Sequence, residues 1–202
     1  MTVALTDSSR AKSFENQASE TKTAKWTLED YHRMIDSGVL DDKHVELIRG
    51  DIIEMAPEGT PHASRSASAG EYLTMLLIEQ AQIRQAHPIT LPNQSEPEPD
   101  IAVVRRISSE YEDHHPYPED IFWLIEYSKA TLAKDLNLKS RTYAEANISE
   151  YWVVDLQQQV LVVFRKPNEG EYAERESYAE GDITPLAFPS VAISVDRIVR
   201  KK

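Results

Sequence analysis

The sequence predicts a single domain of the α/β or α+β class, and three observations support this. Short apolar runs rich in Val and Ile, typical of buried strands, are interspersed with segments whose apolar residues recur at helical spacing. The chain has 202 residues, which favours one domain with a substantial core over two. No internal repeat or interior linker divides it. We therefore expect strands and helices that share one core.

The composition excludes several kinds of site. The chain contains no cysteine, so disulfides and thiolate zinc sites are excluded. No apolar run approaches the roughly 20 residues of a membrane span. Residues 1–25 are rich in Ser, Thr, Glu and Ala and lack the apolar core of a secretory signal. We expect a mobile polar N-terminal tail over residues 1–25, a single domain over residues 26–202, and a cytoplasmic protein without a membrane partner.

The charge balance weighs against non-specific binding to nucleic acid. The net charge is −12, from 34 acidic and 22 basic residues, whereas such binding depends on Lys and Arg contacts to phosphate. Residues 129–141 are an exception, because this segment contains three Lys and one Arg but a single acidic residue, Asp135. A local basic surface is therefore compatible with the acidic whole.

The first elements are predicted from capping and turn residues. Thr27 and Asp30 have nearly the spacing of a capping box, and Gly38 is expected to end the short helix that follows them. Two β-type runs, residues 45–48 and 52–55, flank an Arg-Gly-Asp turn and predict a hairpin. We interpret that triplet as a turn and not as an adhesion motif.

The remaining elements are predicted from the period of the apolar residues. We expect helices over residues 62–85 and 131–147, with a polar loop over residues 108–120. The expected strands cover residues 89–94, 100–105, 121–126, 151–154 and 160–164.

Asp100 and Glu126 form the most informative pair in the chain. Asp100 opens an apolar strand after Glu-Pro-Glu-Pro, and Glu126 ends another apolar strand. A lone buried carboxylate is costly, so it usually shifts its pKa, finds a partner or binds a cation. Two such groups on different strands could hold one hard divalent metal ion through oxygen ligands. This arrangement suits the hydrolysis of a phosphodiester bond.

Lys139 is the second informative residue, because it lies within the apolar stripe of its helix. The stripe comprises Leu132, Leu136, Tyr143 and Ala146, whereas a solvating lysine normally lies on the opposite face. The amine could therefore point towards the carboxylates at the sheet edge, where it would hold a water or stabilise charge on phosphorus. A snorkelling lysine, or an i,i+4 pair with Asp135, explains the spacing equally well.

At this point the residues resemble a known family. Pro99-Asp100 followed by Glu126-Tyr-Ser128 is similar to the PD-(D/E)XK nuclease superfamily, and more narrowly the chain resembles the Uma family of endonucleases. The resemblance spans about residues 26–200. The most specific segment ends in Tyr151-Trp-Val-Val-Asp155, and the matching stretches are residues 45–55, 98–104, 126–135 and 139–155.

The resemblance implies a fold, a cofactor and roles for four residues. The fold would be a restriction-endonuclease-like core with a central mixed β-sheet flanked by helices. Asp100 and Glu126 would ligate Mg²⁺ or Mn²⁺. The usual lysine position, two residues after Glu126, is occupied by Ser128, so a migrated Lys139 would replace it. Glu46 would be an outer metal or water ligand, although its position alone suggests an exposed hairpin glutamate.

Two histidine features carry weaker signals. His62 opens a helix after a proline-rich loop, where a structural role is commonest and a proton-carrying role is the alternative. Asp113-His114-His115 lies in a polar loop without a spaced fourth ligand, which favours a solvated loop over a metal site.

Two functions from different classes follow. The first is a divalent-metal-dependent nuclease, acting on DNA and forming a homodimer, because cutting both strands usually needs two sites. The second is a binding or assembly module that keeps the nuclease fold without catalysis.

Overall fold

The structure, a computed structural model, describes residues 23–107, 110–129 and 131–199. The helices are α1 (Leu28–Asp36), α2 (Thr60–Leu76), α3 (Leu132–Lys134), α4 (Ser140–Glu145) and α5 (Val195–Val199). Asp135–Lys139 forms a π-helical turn that joins α3 to α4. The strands are β1 (Val45–Ile48), β2 (Asp51–Glu54), β3 (Gln82–Gln85), β4 (Ile101–Val104), β5 (Ile121–Ser128), β6 (Glu150–Asp155), β7 (Val160–Asn168), β8 (Glu171–Tyr178), β9 (Asp182–Ile183) and β10 (Ile193–Ser194).

A mixed six-stranded sheet organises these elements, in the order β3-β4-β5-β6-β7-β8. β5 and β6 pair in parallel, and the other neighbours pair antiparallel. Parallel strands need a long crossover, and the segment from α3 to α4 provides it between β5 and β6. The helical segment that carries Lys139 therefore starts directly beyond the end of the strand that carries Glu126.

Both faces of the sheet are covered by apolar side chains. One core packs α2 and α5 against the sheet and contains Leu73, Trp123, Trp152 and Ile198. The other lies on the opposite face around Tyr143 and Tyr151. β4, β5 and β6 are buried almost throughout, as expected for strands covered on both faces. The predicted fold class, a central mixed sheet flanked by helices, is confirmed.

The N-terminal elements follow their predicted signals closely. Thr27 and Asp30 form the capping box of α1, and Gly38 lies beyond its end with φ +75°. The turn between β1 and β2 consists of Arg49 and Gly50, both with positive φ, as a type I′ hairpin requires. Gly50 accepts a hydrogen bond from the backbone of Trp26 at 2.8 Å.

Two predicted elements were wrong. The helix expected over residues 62–85 begins at Thr60 and ends at Leu76, and its last predicted residues form β3. Ile83 continues the helical spacing by chance, while β3 gains backbone hydrogen bonds as an edge strand beside β4. Residues 89–94 are not a strand, because the local backbone bonds to several different segments. Ile89 and Leu91 are nevertheless fully buried, which explains their apolar character.

The sequence does not predict β8. Its sequence, Glu-Tyr-Ala-Glu-Arg-Glu-Ser-Tyr, is too polar to suggest a strand, and most of it is exposed. It forms because the turn at Glu169 and Gly170 closes a hairpin with β7.

Most of the expected N-terminal tail, residues 1–22, lies outside the described residues. Lys25, at its predicted end, forms an ion pair with Asp51. No helix in the described part of the chain is long and apolar enough to cross a membrane.

Candidate active site

A cleft of about 200 Å³ brings together the polar residues singled out in the sequence. Its walls come from the β1–β2 hairpin, the start of α2, the adjoining ends of β4 and β5, and the π-helical turn. The titratable residues that line it include Glu46, Glu58, His62, Asp100, Glu126 and Lys139. A larger open cavity of about 1110 Å³ elsewhere is lined mainly by apolar residues such as Leu91 and Phe122, and it contains none of these groups.

Asp100 directly precedes β4, and Glu126 lies on the neighbouring antiparallel strand β5. Ile101 pairs with Ile125, so the residues one position further, Asp100 and Glu126, face each other across the β4–β5 ladder. The Oδ2 atom of Asp100 accepts the backbone N–H of Tyr127 at 2.5 Å. Its Oδ1 atom lies 2.8 Å from Nε2 of His62.

Two buried donors form hydrogen bonds with the carboxylate of Glu126. Nζ of Lys139 donates to its Oε1 atom at 2.8 Å, and the hydroxyl of Tyr143 donates to the same atom at 2.8 Å. Lys139 is only 3% exposed, so the ion pair is largely shielded from water. Both bonds go to Oε1, which leaves Oε2 of Glu126 out of this pair of contacts.

Glu46 is the second carboxylate in contact with Lys139. Its side chain is fully buried, so the alternative of an exposed hairpin glutamate is wrong. Oε2 of Glu46 lies 3.2 Å from Nζ of Lys139, and Oε1 accepts from Nζ of Lys134 at 2.5 Å. Glu46 is buried because its hairpin packs on the segment before β4, where Leu47 accepts a hydrogen bond from the backbone of Glu96.

The π-helical turn explains why two lysines reach one carboxylate. Lys134 and Lys139 are five residues apart, a spacing that diverges by about 140° on a regular helix of 3.6 residues per turn. A π-helical turn, with its i→i+5 hydrogen bonds and wider turn, brings positions i and i+5 closer to one face than a regular helix does. Both amines therefore contact the carboxylate of Glu46. Lys139 neither snorkels to the surface nor forms a simple ion pair with Asp135.

The charges in the cleft perturb each other strongly. Burial, together with smaller effects of the nearby Asp100 and Asp135 carboxylates, raises the pKa of Glu126 to about 8 in spite of Lys139. Burial also favours the neutral form of Lys139, but the carboxylates of Glu126 and Glu46 outweigh it and raise the lysine pKa. Burial opposes ionisation of Glu46, yet Lys139 and Lys134 together lower its pKa. Lys139 and Glu46 therefore stay charged, while the charge of Glu126 is incompletely balanced.

Sequence reasoning does not assign Glu58, Lys134 or Tyr143 to the site, although Glu58 and Lys134 line the cleft and Tyr143 contacts one of its carboxylates. Glu58, His62 and Asp100 each place one potential ligand atom within 4.8 Å of the others. Lys134 contacts Glu46, and Tyr143, which an apolar stripe suggests as a core residue, donates to Glu126. In the sequence, the one signal for grouping Glu58 with His62 is their four-residue spacing around the start of a helix.

A solved structure shares the overall fold of this chain. A crystal structure at 1.96 Å of "a putative nuclease belonging to DUF820" from Anabaena variabilis has the same fold, with a TM-score of 0.64 and 19% identity, over 86% of this chain and 97% of the other. No curated protein matches the sequence.

The fold is thus that of a mixed α/β domain with an acidic cleft at one edge of its sheet. The family model Uma2, described as "Putative restriction endonuclease", matches residues 28–196. The chain belongs to the Uma2 family, which confirms the resemblance found in the sequence.

Proposed function

We propose that this protein is a divalent-metal-dependent nuclease that hydrolyses phosphodiester bonds in DNA. The observation that carries the proposal is the contact between buried Lys139 and Glu126, on the strand beside Asp100. Membership of a restriction endonuclease family supports nucleic acid as the substrate.

The donor set suits Mg²⁺ or Mn²⁺. Asp100 and Glu126 supply carboxylate oxygens from facing strand positions, and such hard cations prefer oxygen ligands. Bound between these carboxylates, the ion would activate a water and neutralise charge on the phosphate.

The protein's own residues would position the reacting groups. The ammonium of Lys139, fixed by Glu126 and Glu46, would orient the attacking water and stabilise charge developing on phosphorus. Glu46 would hold Lys139 and Lys134 in place. Tyr143 would keep Oε1 of Glu126 turned towards Lys139, leaving Oε2 for the metal.

The partner proposals are coarser. Lys129 is exposed on the rim of the cleft and could contact the phosphate backbone. We propose a homodimer, because cutting a duplex usually needs two sites, and light scattering on the purified protein tests it. The cytoplasmic location remains a prediction that cell fractionation can check.

Plasmid cleavage tests the proposal. The wild-type protein is expected to cut DNA with Mn²⁺ or Mg²⁺ and to lose this activity in EDTA, while Asp100→Ala and Glu126→Ala abolish it. Asp36→Ala, at the exposed end of α1, is the matched control and should cut normally. Equal cutting by the wild type and Asp100→Ala would refute the assignment.

The non-catalytic module is the second candidate, and one observation favours it. Lys139 and Glu46 already form a closed buried ion-pair network, which could be structural. Calorimetric titration with Mn²⁺ separates the two functions. Binding that is lost in both Asp100→Ala and Glu126→Ala supports the nuclease, whereas absence of binding to the wild type supports the module.

A further inference from the structure

We propose that Glu58 and His62 complete the metal site from the α2 side and make it select first-row transition ions, such as Mn²⁺, over Mg²⁺. This inference rests on the proposed function, because it concerns the ligands of the same ion. The metal would be held at Asp100 by the residues at the start of α2, and Glu126 on β5, which lies outside this close group of ligand atoms, would join it through a movement of its side chain.

Three potential ligand atoms already lie close together at the start of α2. Glu58, His62 and Asp100 are the one group of three His, Asp or Glu residues in the described parts of the chain whose ligand atoms lie within 4.8 Å of one another. Nε2 of His62 already lies 2.8 Å from Oδ1 of Asp100. A hydrogen bond between a histidine nitrogen and a carboxylate can be exchanged for a shared metal ion with small movements of both side chains.

The local sequence explains how these residues are presented. Gly59 is the N-cap of α2 and Pro61 lies in its first turn, so the chain enters the helix with a fixed direction. His62 is therefore on a rigid first turn, and Glu58 lies just before the cap. The imidazole also packs near the ring of Tyr127, with 6.1 Å between ring centroids. His62 and Asp100 are 20% and 10% exposed, so the ion would be reachable from the cleft yet largely enclosed.

An imidazole ligand changes which metal ions the site prefers. Mg²⁺ is bound mainly through oxygen atoms and keeps much of its water. An imidazole nitrogen gains more from a transition ion, and affinity rises along the series that begins with Mn²⁺. Two carboxylates alone would discriminate weakly between Mg²⁺ and Mn²⁺. His62 adds the nitrogen that separates them, and Glu58 adds a third carboxylate at the solvent side.

The experiment combines metal titration with spectroscopy on the full chain. We expect calorimetry to give Mn²⁺ an affinity at least about tenfold above that of Mg²⁺, and His62→Gln to lose at least about tenfold in Mn²⁺ affinity. Pulsed electron paramagnetic resonance on the Mn²⁺-bound protein should detect coupling to a nitrogen nucleus that disappears in His62→Gln. His87→Gln, an exposed histidine outside the cleft, is the matched control and should keep both properties.

The outcomes distinguish this inference from the proposed function. Binding of Mn²⁺ without nitrogen coupling, or unchanged Mn²⁺ affinity in His62→Gln, would overturn the role of His62 while leaving the nuclease proposal intact. Failure of the wild type to bind any divalent ion would overturn both. Glu58 is exposed, so Glu58→Gln should fold normally and provides an independent variant in which Mn²⁺ affinity falls.

Discussion

At the residue scale, the site depends on a single ammonium group enclosed by carboxylates. Lys139 is almost fully buried, and its charge is acceptable there only because Glu126 and Glu46 both contact it. Removing one member of such a network leaves buried charge without a partner, which costs far more than the intact network contributes. Stability and the proposed chemistry are therefore linked at this residue.

Replacing Lys139 should expose this dependence. We expect Lys139→Met to lower the free energy of unfolding by about 3–5 kcal/mol, because Glu126 and Glu46 lose their shared partner. Urea unfolding measures it, with Lys166→Met on the exposed part of β7 as a control that changes stability by less than about 0.5 kcal/mol. Adding Glu126→Gln to Lys139→Met should recover part of the loss. Unfolding of Lys139→Met at wild-type urea concentrations would show that the network is not formed.

Tyr143 offers a milder test of the same carboxylate. Tyr143→Phe removes a donor to Oε1 of Glu126 but leaves Lys139 in place, so we expect a loss of about 1–2 kcal/mol and a folded protein. Tyr178→Phe is the control, because its hydroxyl bonds exposed Glu176 and its loss should be close to neutral. Equal effects of the two substitutions in thermal unfolding would argue against the buried contact.

At the scale of elements, two irregular features deliver the charged groups to the cleft. The tight β1–β2 hairpin brings Glu46 inward, and the π-helical turn aligns Lys134 with Lys139. The hairpin is fixed by the Gly50 N–H, which donates to the carbonyl of Gln94 at 2.8 Å. Changes in the hairpin turn should therefore reach the active site.

Gly50→Ala tests the hairpin. Gly50 has φ +77°, and a Cβ atom there would lie 3.0 Å from the backbone oxygen of Trp26. We expect a loss of about 2 kcal/mol or more, because backbone strain and crowding add together. Gly181→Ala is matched in φ (+91°) but meets open space, so it should lose only about 1 kcal/mol. Chemical denaturation of both variants checks the difference, and equal losses would contradict the close approach of Trp26.

The sequence predicts elements well where burial and local signals agree. β4 and β5 are covered on both faces and consist of apolar, mostly branched residues, so their pattern leaves little ambiguity. Edge strands β3 and β8 escape prediction because their stability comes from hydrogen bonds to a neighbour and not from their own side chains. The π-helical turn is equally hidden, because it adds a single residue to an otherwise helical period.

The site could be predicted in part for the same reason. Asp100 and Glu126 stand out as charges at the ends of buried strands, and Lys139 as a charge in an apolar stripe. Glu58 and Lys134 carry no such contrast, because both lie in polar segments that fold against the cleft only in three dimensions. His62 needs the coordinates as well, since its contact with Asp100 joins residues 38 positions apart.

At the scale of the whole molecule, the charge of −12 opposes binding to a polyanion. Lys129 lines the cleft and is exposed, so under the proposed function it would contact a phosphate beside the site. We expect Lys129→Ala to weaken DNA binding and to reduce the slope of log affinity against log salt by about 1. Fluorescence anisotropy in EDTA checks this, and Lys166→Ala, outside the cleft, should leave the slope unchanged. Equal slopes for wild type and Lys129→Ala would show that Lys129 does not contact the DNA.

A crystal structure of the protein soaked in Mn²⁺, with anomalous diffraction used to locate the metal, tests the proposed metal site most directly. We expect one strong anomalous peak within ligand distance of carboxylate oxygens from both Asp100 and Glu126, with Nζ of Lys139 still bonded to Glu126. A cleft that stays free of Mn²⁺ while surface carboxylates bind it, or a Lys139 side chain turned into solvent, would contradict the proposal that these residues form a metal-dependent active site.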